Sequence, residues 1–160
     1  MTKTIVSTAI FATSLFLAAS HAQAATNFSG EWKMNASKSD FGPMAAQAPQ
    51  VLTRTIKHSD PALEIATHQK GAAGETNTQL KYTTDGKECV NKLPNGDAKG
   101  TAKWQGDNLI VESVREVQGT EIKAKETWTL SDGGKVLTIL NHVSVPSQGE
   151  FDLKYVFEKQ

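Results

Sequence analysis

The chain has 160 residues, with 17 basic and 17 acidic side chains, a single cysteine and 38% hydrophobic residues. That length suits one domain. A net charge of zero lacks the concentrated Lys and Arg that phosphate backbones require, so nucleic acid is excluded as a partner. One cysteine rules out an internal disulfide and a Cys-rich zinc site.

Residues 1–24 read as a cleaved secretory signal. Lys3 supplies a positive charge, Ile5 to Ala19 are apolar but short for a bilayer span, and Ala22-Gln23-Ala24 fits a small-x-small cleavage site. Cleavage after Ala24 predicts a periplasmic or secreted domain over 25–160, with no transmembrane segment once processed. Cys89 is then unpaired within its chain.

Beyond the signal, turn residues recur about every ten positions, among them Asp85-Gly86, Asn95-Gly96, Gly106-Asp107, Gln118-Gly119 and Asp132-Gly133-Gly134. Asx-Gly pairs readily take the positive φ that tight hairpins demand. Between them apolar and polar residues alternate with period two, the pattern of half-buried strands. Ten strands are predicted, near 27–34, 51–58, 63–70, 76–83, 87–93, 98–104, 109–117, 121–130, 136–145 and 150–158. The long connection 35–50 is rich in Ala, Ser and Pro and is expected to form a lid loop or a short helix.

Register tests the alternation, because a one-residue slip reverses every side chain. A two-residue turn at Gln118-Gly119 sets Val111 opposite Glu126 and Leu109 opposite Trp128. The same logic sets Ile139 beside Trp128, Asn141 beside Glu126, and Tyr155 beside Asn141. In the other direction Trp104 meets Leu109, Cys89 meets Ala102, and Tyr82 meets Cys89. Seven consecutive strands thereby share one inward face. Short connections favour curling that face into a single closed up-and-down antiparallel β-barrel, all-β and of about ten strands, over a sandwich with Greek-key crossovers.

Phe28-Ser29-Gly30-Glu31-Trp32-Lys33 resembles the Gly-x-Trp opening of lipocalins and fatty-acid-binding proteins, and the meander to Phe157-Glu158-Lys159 is similar to that calycin superfamily in architecture. The resemblance implies that Trp32 packs across the closed barrel end and that the interior holds an apolar or amphipathic small molecule. Where the fatty-acid-binding branch carries Arg-x-Tyr on its last strand, this chain has Tyr155-Val156-Phe157, and 35–50 is too short for that branch's two helices. Its particular ligand is therefore not carried over.

The inward face supplies the candidate site. Trp104, Trp128 and Phe157, with Trp32, are large enough to plug one end, whereas the middle levels mix small and polar residues: Asn91, Ser113, Glu126, Asn141 and Tyr155. Both arginines, Arg54 and Arg115, fall on inward faces, against one inward acid, Glu126. A buried ion needs a partner or water, so one positive charge is left over. Arg offers a planar fork of donors to a carboxylate or phosphate. The expectation is an exported binding protein holding a small hydrophobic or amphipathic, anionic ligand on Arg115 or Arg54, with Glu126, Asn141, Tyr155, Asn91 and Ser113 around it. The alternative is a protein-interaction or inhibitor module whose interior polar belt is structural. No Ser-His-Asp set, His-x-x-x-His pair or phosphate-cradling glycine loop occurs, so neither enzyme activity, metal nor cofactor is predicted.

Overall fold

A computed structural model describes residues 26–72 and 74–160; the signal segment 1–24 lies outside them. Ten antiparallel strands follow one another: β1 (Gly30–Met34), β2 (Val51–Ser59), β3 (Ala62–Gly71), β4 (Gly74–Thr83), β5 (Cys89–Leu93), β6 (Gly96–Gln105), β7 (Asn108–Val117), β8 (Thr120–Ser131), β9 (Val136–Val145) and β10 (Gly149–Lys159). In the sheet the order is β4-β3-β2-β1-β10-β9-β8-β7-β6-β5, so the first strand joins the last and the sheet curls into a nearly closed barrel. No helix among the described residues is long and apolar enough to cross a membrane.

The turn chemistry sets most registers as expected. Gln118 (φ 52°) and Gly119 (φ 78°) both take positive φ, the two-residue turn that matches strand twist, and Val111 faces Glu126 while Leu109 faces Trp128. Trp128 pairs with Ile139, and Glu126 with Asn141. Two hairpins are tighter than expected by two residues. Cys89 faces Gly100, not Ala102, because Pro94-Asn95 form the corner and Gly96 (φ 117°) follows it. Tyr155 faces Ile139 and Leu153 faces Asn141, because β10 turns back at Gly149 (φ 90°). A slip of two preserves every face. Strand β1 also begins later than expected, at Gly30, and Phe28 ahead of it crosses the barrel end.

One expected pairing is absent. Tyr82 does not face Cys89: among the described residues no backbone ladder joins β4 to β5. The 84–88 connection spans this seam at one end, with the Thr84 amide donating to the Pro61 carbonyl (2.8 Å) and the Gly86 amide to Ala102 (2.9 Å). Beside it the Asn91 side chain acts as a missing strand residue, accepting from the Lys81 amide (2.6 Å) and donating to the Lys81 carbonyl (3.1 Å). Tyr82 lies inside, over Gly100, where a Cβ would come within 2.6 Å of the Glu112 carbonyl oxygen and 3.0 Å of the Tyr82 ring.

The core fills the end nearest this stitch. Phe28, Trp128, Leu109, Ile139 and Phe157 are wholly buried and Trp32 nearly so. Trp32 Nε1 donates to the Phe28 carbonyl (2.9 Å), and the Phe28 ring meets Trp128 edge-on at 5.5 Å. Burying each such side chain contributes about 1.5–3 kcal/mol. The other end is covered by the 35–50 segment, which forms a 3-10 helix over Gly42–Gln47. Asp40 exchanges two backbone hydrogen bonds with Lys154, and Phe41 packs edge-on against Tyr155 at 5.3 Å.

Candidate functional site

Above the aromatic plug the period-two alternation carries polar groups inward. Arg54 on β2 shares its face with buried Leu52 and Ile56, and its side chain is only 14% exposed. The guanidinium carbon lies 5.4 Å from both the Trp128 and Phe157 ring centroids. A weakly hydrated, planar cation on aromatic faces is a favourable placement. Its counter-charge is Glu126, 3.7 Å from Arg54 Nη1; the Glu126 carboxylate in turn accepts from Trp128 Nε1 at 2.7 Å. The expected Glu126–Asn141–Tyr155 belt thus forms differently. Asn141 is Glu126's cross-strand neighbour, Tyr155 sits two residues away in register, and tryptophan is the carboxylate's hydrogen-bond partner.

Among the described residues two buried polar atoms have no hydrogen-bond partner: Arg54 Nε, a donor, and Asn141 Oδ1, an acceptor. Buried polar groups are ordinarily satisfied, and leaving one unmade costs about 1–3 kcal/mol. Burial raises the Tyr82 hydroxyl to about 12, assisted by the Glu126 charge and opposed by Arg54. Tyr155 is likewise raised, by burial first. Both remain neutral hydroxyls at physiological pH.

Two pockets lie at this end of the barrel. One, of about 410 Å³, lies under the lid helix between Phe41, Met44, Val143, Phe151, Leu153 and Tyr155, with Asn141 in its wall. The other, of about 660 Å³, is lined by Arg54 and by β3, β4 and the β5–β6 turn. Gln69 and Arg115 border both pockets. Arg115 is exposed rather than buried, so its charge stands in reach of solvent. Of the other predicted residues, Asn91 spends its amide on Lys81 and Ser113 lies on β7 between Gly100 and Ala124, outside both pockets. Trp104 plugs the barrel end beside Phe28 (5.8 Å, stacked) and donates to Asp60 at 3.3 Å. Sequence reasoning missed Gln69, Thr67 and Phe41. The first two were legible, since both continue the Leu63/Ile65 face of β3.

A groove of about 550 Å³ crosses the outer face of β6–β9. Its charges already pair with one another, as in Lys125 with Glu112 at 3.4 Å, on side chains about half exposed. Such pairs contribute little, and the inward site carries the stronger claim. Among the described residues no cluster of three or more His, Cys, Asp or Glu is positioned for a metal ion.

No protein-family model and no curated protein matches the chain. Solved structures do. A secretory abundant heat soluble protein from Ramazzottius varieornatus is similar at TM-score 0.59 and 13% identity, over 85% of this chain and 98% of that one. Zebrafish ileal bile acid-binding protein, solved with cholic acid, gives 0.57 and 18%, over 83% and 98%. Human cRBP IV gives 0.52 and 17%, over 84% and 99%. The chain accordingly shares the fold of these β-barrels.

Proposed function

We propose that this chain is an exported binding protein that holds a small amphipathic anion inside its barrel. One observation carries the proposal: Arg54 and Arg115 both border one pocket, Arg54 is offset by Glu126, and among the described residues no carboxylate lies within ion-pair distance of Arg115, the pocket's own Glu75 standing 3.7 Å from His68. The charge left over at Arg115 meets an anionic group. The pocket beneath the lid takes hydrocarbon against Phe41, Met44, Val143, Phe151 and Leu153. Support also comes from a protein of the same fold solved with cholic acid. Export rests on the reading of residues 1–24.

Native mass spectrometry of protein purified from its own envelope tests this, together with displacement of a fluorescent fatty acid. A co-purifying mass and saturable displacement are expected. Arg115→Leu should weaken binding of an anionic competitor by about 10–100-fold, the worth of a charged hydrogen bond, while stability shifts by no more than about 0.5 kcal/mol, as at exposed sites. A clean unliganded mass in repeated preparations, with no displacement, overturns the proposal and leaves the barrel as a scaffold.

A further inference from the structure

We infer that the unpaired edge of β4 is an interface with a second copy of this chain, the two β4 strands meeting antiparallel about Asn77. The inference goes beyond the binding reading and does not depend on it. The two strands that flank the seam are finished differently. β5 is short, over Cys89–Leu93, carries Lys92 and runs into Pro94, and its Asn91 amide is spent on Lys81. Short length, lysine and proline are devices that keep a sheet edge from pairing. β4 runs for ten residues, and from Glu75 to Gln79 it holds neither lysine nor proline. All of that stretch except Thr78 is exposed, and among the described residues no strand pairs with its outer edge.

The Asn91–Lys81 contact shows which backbone groups this edge presents. The Lys81 N–H and C=O both point at β5, and in an antiparallel strand that direction alternates from one residue to the next. The N–H and C=O of Glu75, Asn77 and Gln79 therefore point the same way, away from β3. Pairing centred on Asn77 uses all three. Glu75 meets Gln79 of the second copy, Asn77 meets Asn77, and Gln79 meets Glu75, each pair exchanging two hydrogen bonds. No like charges face each other, since Glu75 lies opposite a glutamine amide. Between these pairs Thr76 meets Thr78 on both sides of the two-fold, and cross-strand threonines favour an antiparallel sheet. A register centred further along β4 would need the Lys81 backbone, which Asn91 already occupies. The edge is thus complementary to itself, which selects a second copy as the partner.

Sedimentation velocity and cysteine cross-linking in a Cys89→Ser background test this together. A contact made by one strand edge belongs to the weak class of interfaces. The expected result is a monomer at about 10 µM and a growing dimer fraction toward about 1 mM. Asn77→Cys sets the two thiols on residues about 5.5 Å apart between Cα atoms, within the span of a disulfide, and should link the copies on mild oxidation. Glu75→Cys alone should link at least about tenfold more slowly, because its counterpart lies four positions away, about 13 Å along the strand. Mixing Glu75→Cys with Gln79→Cys protein should restore the fast link. Asn77→Lys sets like charges opposite each other and should move dimerisation to at least about tenfold higher concentration. Should that variant disturb the hairpin by losing the 3.0 Å contact with His68, Asn77→Pro asks the same question, since the N–H it removes faces away from β3. A monomer at every concentration, equal linking at positions 75 and 77, or a dimer that neither variant weakens overturns the inference.

Discussion

The two ends of the barrel are built from the same alternating strands and do opposite things with them. At the plugged end the inward positions of β1, β7, β8, β9 and β10 are Trp32, Leu109, Trp128, Ile139 and Phe157, each 0–1% exposed. A few residues further along β2, β7 and β9, the same inward face carries Arg54, Arg115 and Asn141 and encloses space. A closed meander forces alternation but not filling; side-chain volume at each level decides whether that level is core or cavity. Stability should therefore be concentrated at one end, leaving the other free to vary with its ligand.

The largest effect that would break this contrast is at Trp128. Its ring packs on Phe28, stacks beneath Arg54 and supplies the donor to Glu126. Trp128→Ala should cost about 3–5 kcal/mol, read as a lower urea midpoint at unchanged slope. Tyr155→Phe at the lid end should cost under about 1 kcal/mol. Equal losses from the two changes would mean that the barrel is uniformly packed and the contrast wrong.

A second test concerns how the seam is shut. Gly100 has no room for a Cβ: the nearest obstacles are the Glu112 carbonyl oxygen, the Tyr82 ring and Ser113 Cβ at 2.6, 3.0 and 3.2 Å. Gly100→Ala should destabilise by about 1–3 kcal/mol, in the range of overpacked cores. Adding Tyr82→Leu should recover part of the loss, since one obstacle is a side chain, but not all of it, since another is backbone. Full recovery would show that the ring alone is responsible; none would show that Tyr82 does not cross the seam.

That seam also marks the limit of what sequence could show. Strand number, inward face and most registers follow from period-two alternation and from residues able to take positive φ, as at Gln118-Gly119. The two misplaced registers came from turns with several eligible corner residues: Pro94, Asn95 and Gly96, or Pro146 through Gly149. Because both errors were of two residues, Asn91 on β5 and Tyr155 on β10 kept their inward faces. The failure of β4 to pair with β5 was not legible, because hairpin reasoning treats every pair of consecutive strands as partners. Asn91, expected at the ligand, instead replaces a backbone pairing that alternation has no means of revealing. The belt was legible as composition but not as contacts, since Trp128, a core residue by pattern, also supplies the hydrogen bond to Glu126.

The smallest expected effect lies at the plugged end and depends on pH. Asp60 Oδ1 accepts from Thr84 Oγ1 at 2.6 Å and Trp104 Nε1 at 3.3 Å, and sits 2.9 Å from His58 Nε2. The Phe28 amide donates to His58 Nδ1 (3.2 Å), which leaves Nε2 to carry the hydrogen directed at Asp60. Desolvation acts to raise the Asp60 carboxyl, but the hydrogen bonds from Thr84, His58 and Trp104 outweigh it and hold the group below its ordinary 3.8. A carboxyl whose folded pKa is depressed contributes stability above its unfolded value and loses it as pH falls through the folded one. The contribution is therefore present at neutral pH and disappears below about pH 4. Asp60 is 45% exposed, so solvent keeps the effect small. Asp60→Asn should lower the melting temperature at pH 7 and narrow the gap between the melts at pH 7 and pH 3. Depressed carboxyls elsewhere, Glu64, Asp85 and Glu158, preserve part of that gap in both proteins. An unchanged gap would mean that the plug is held by its aromatic rings alone.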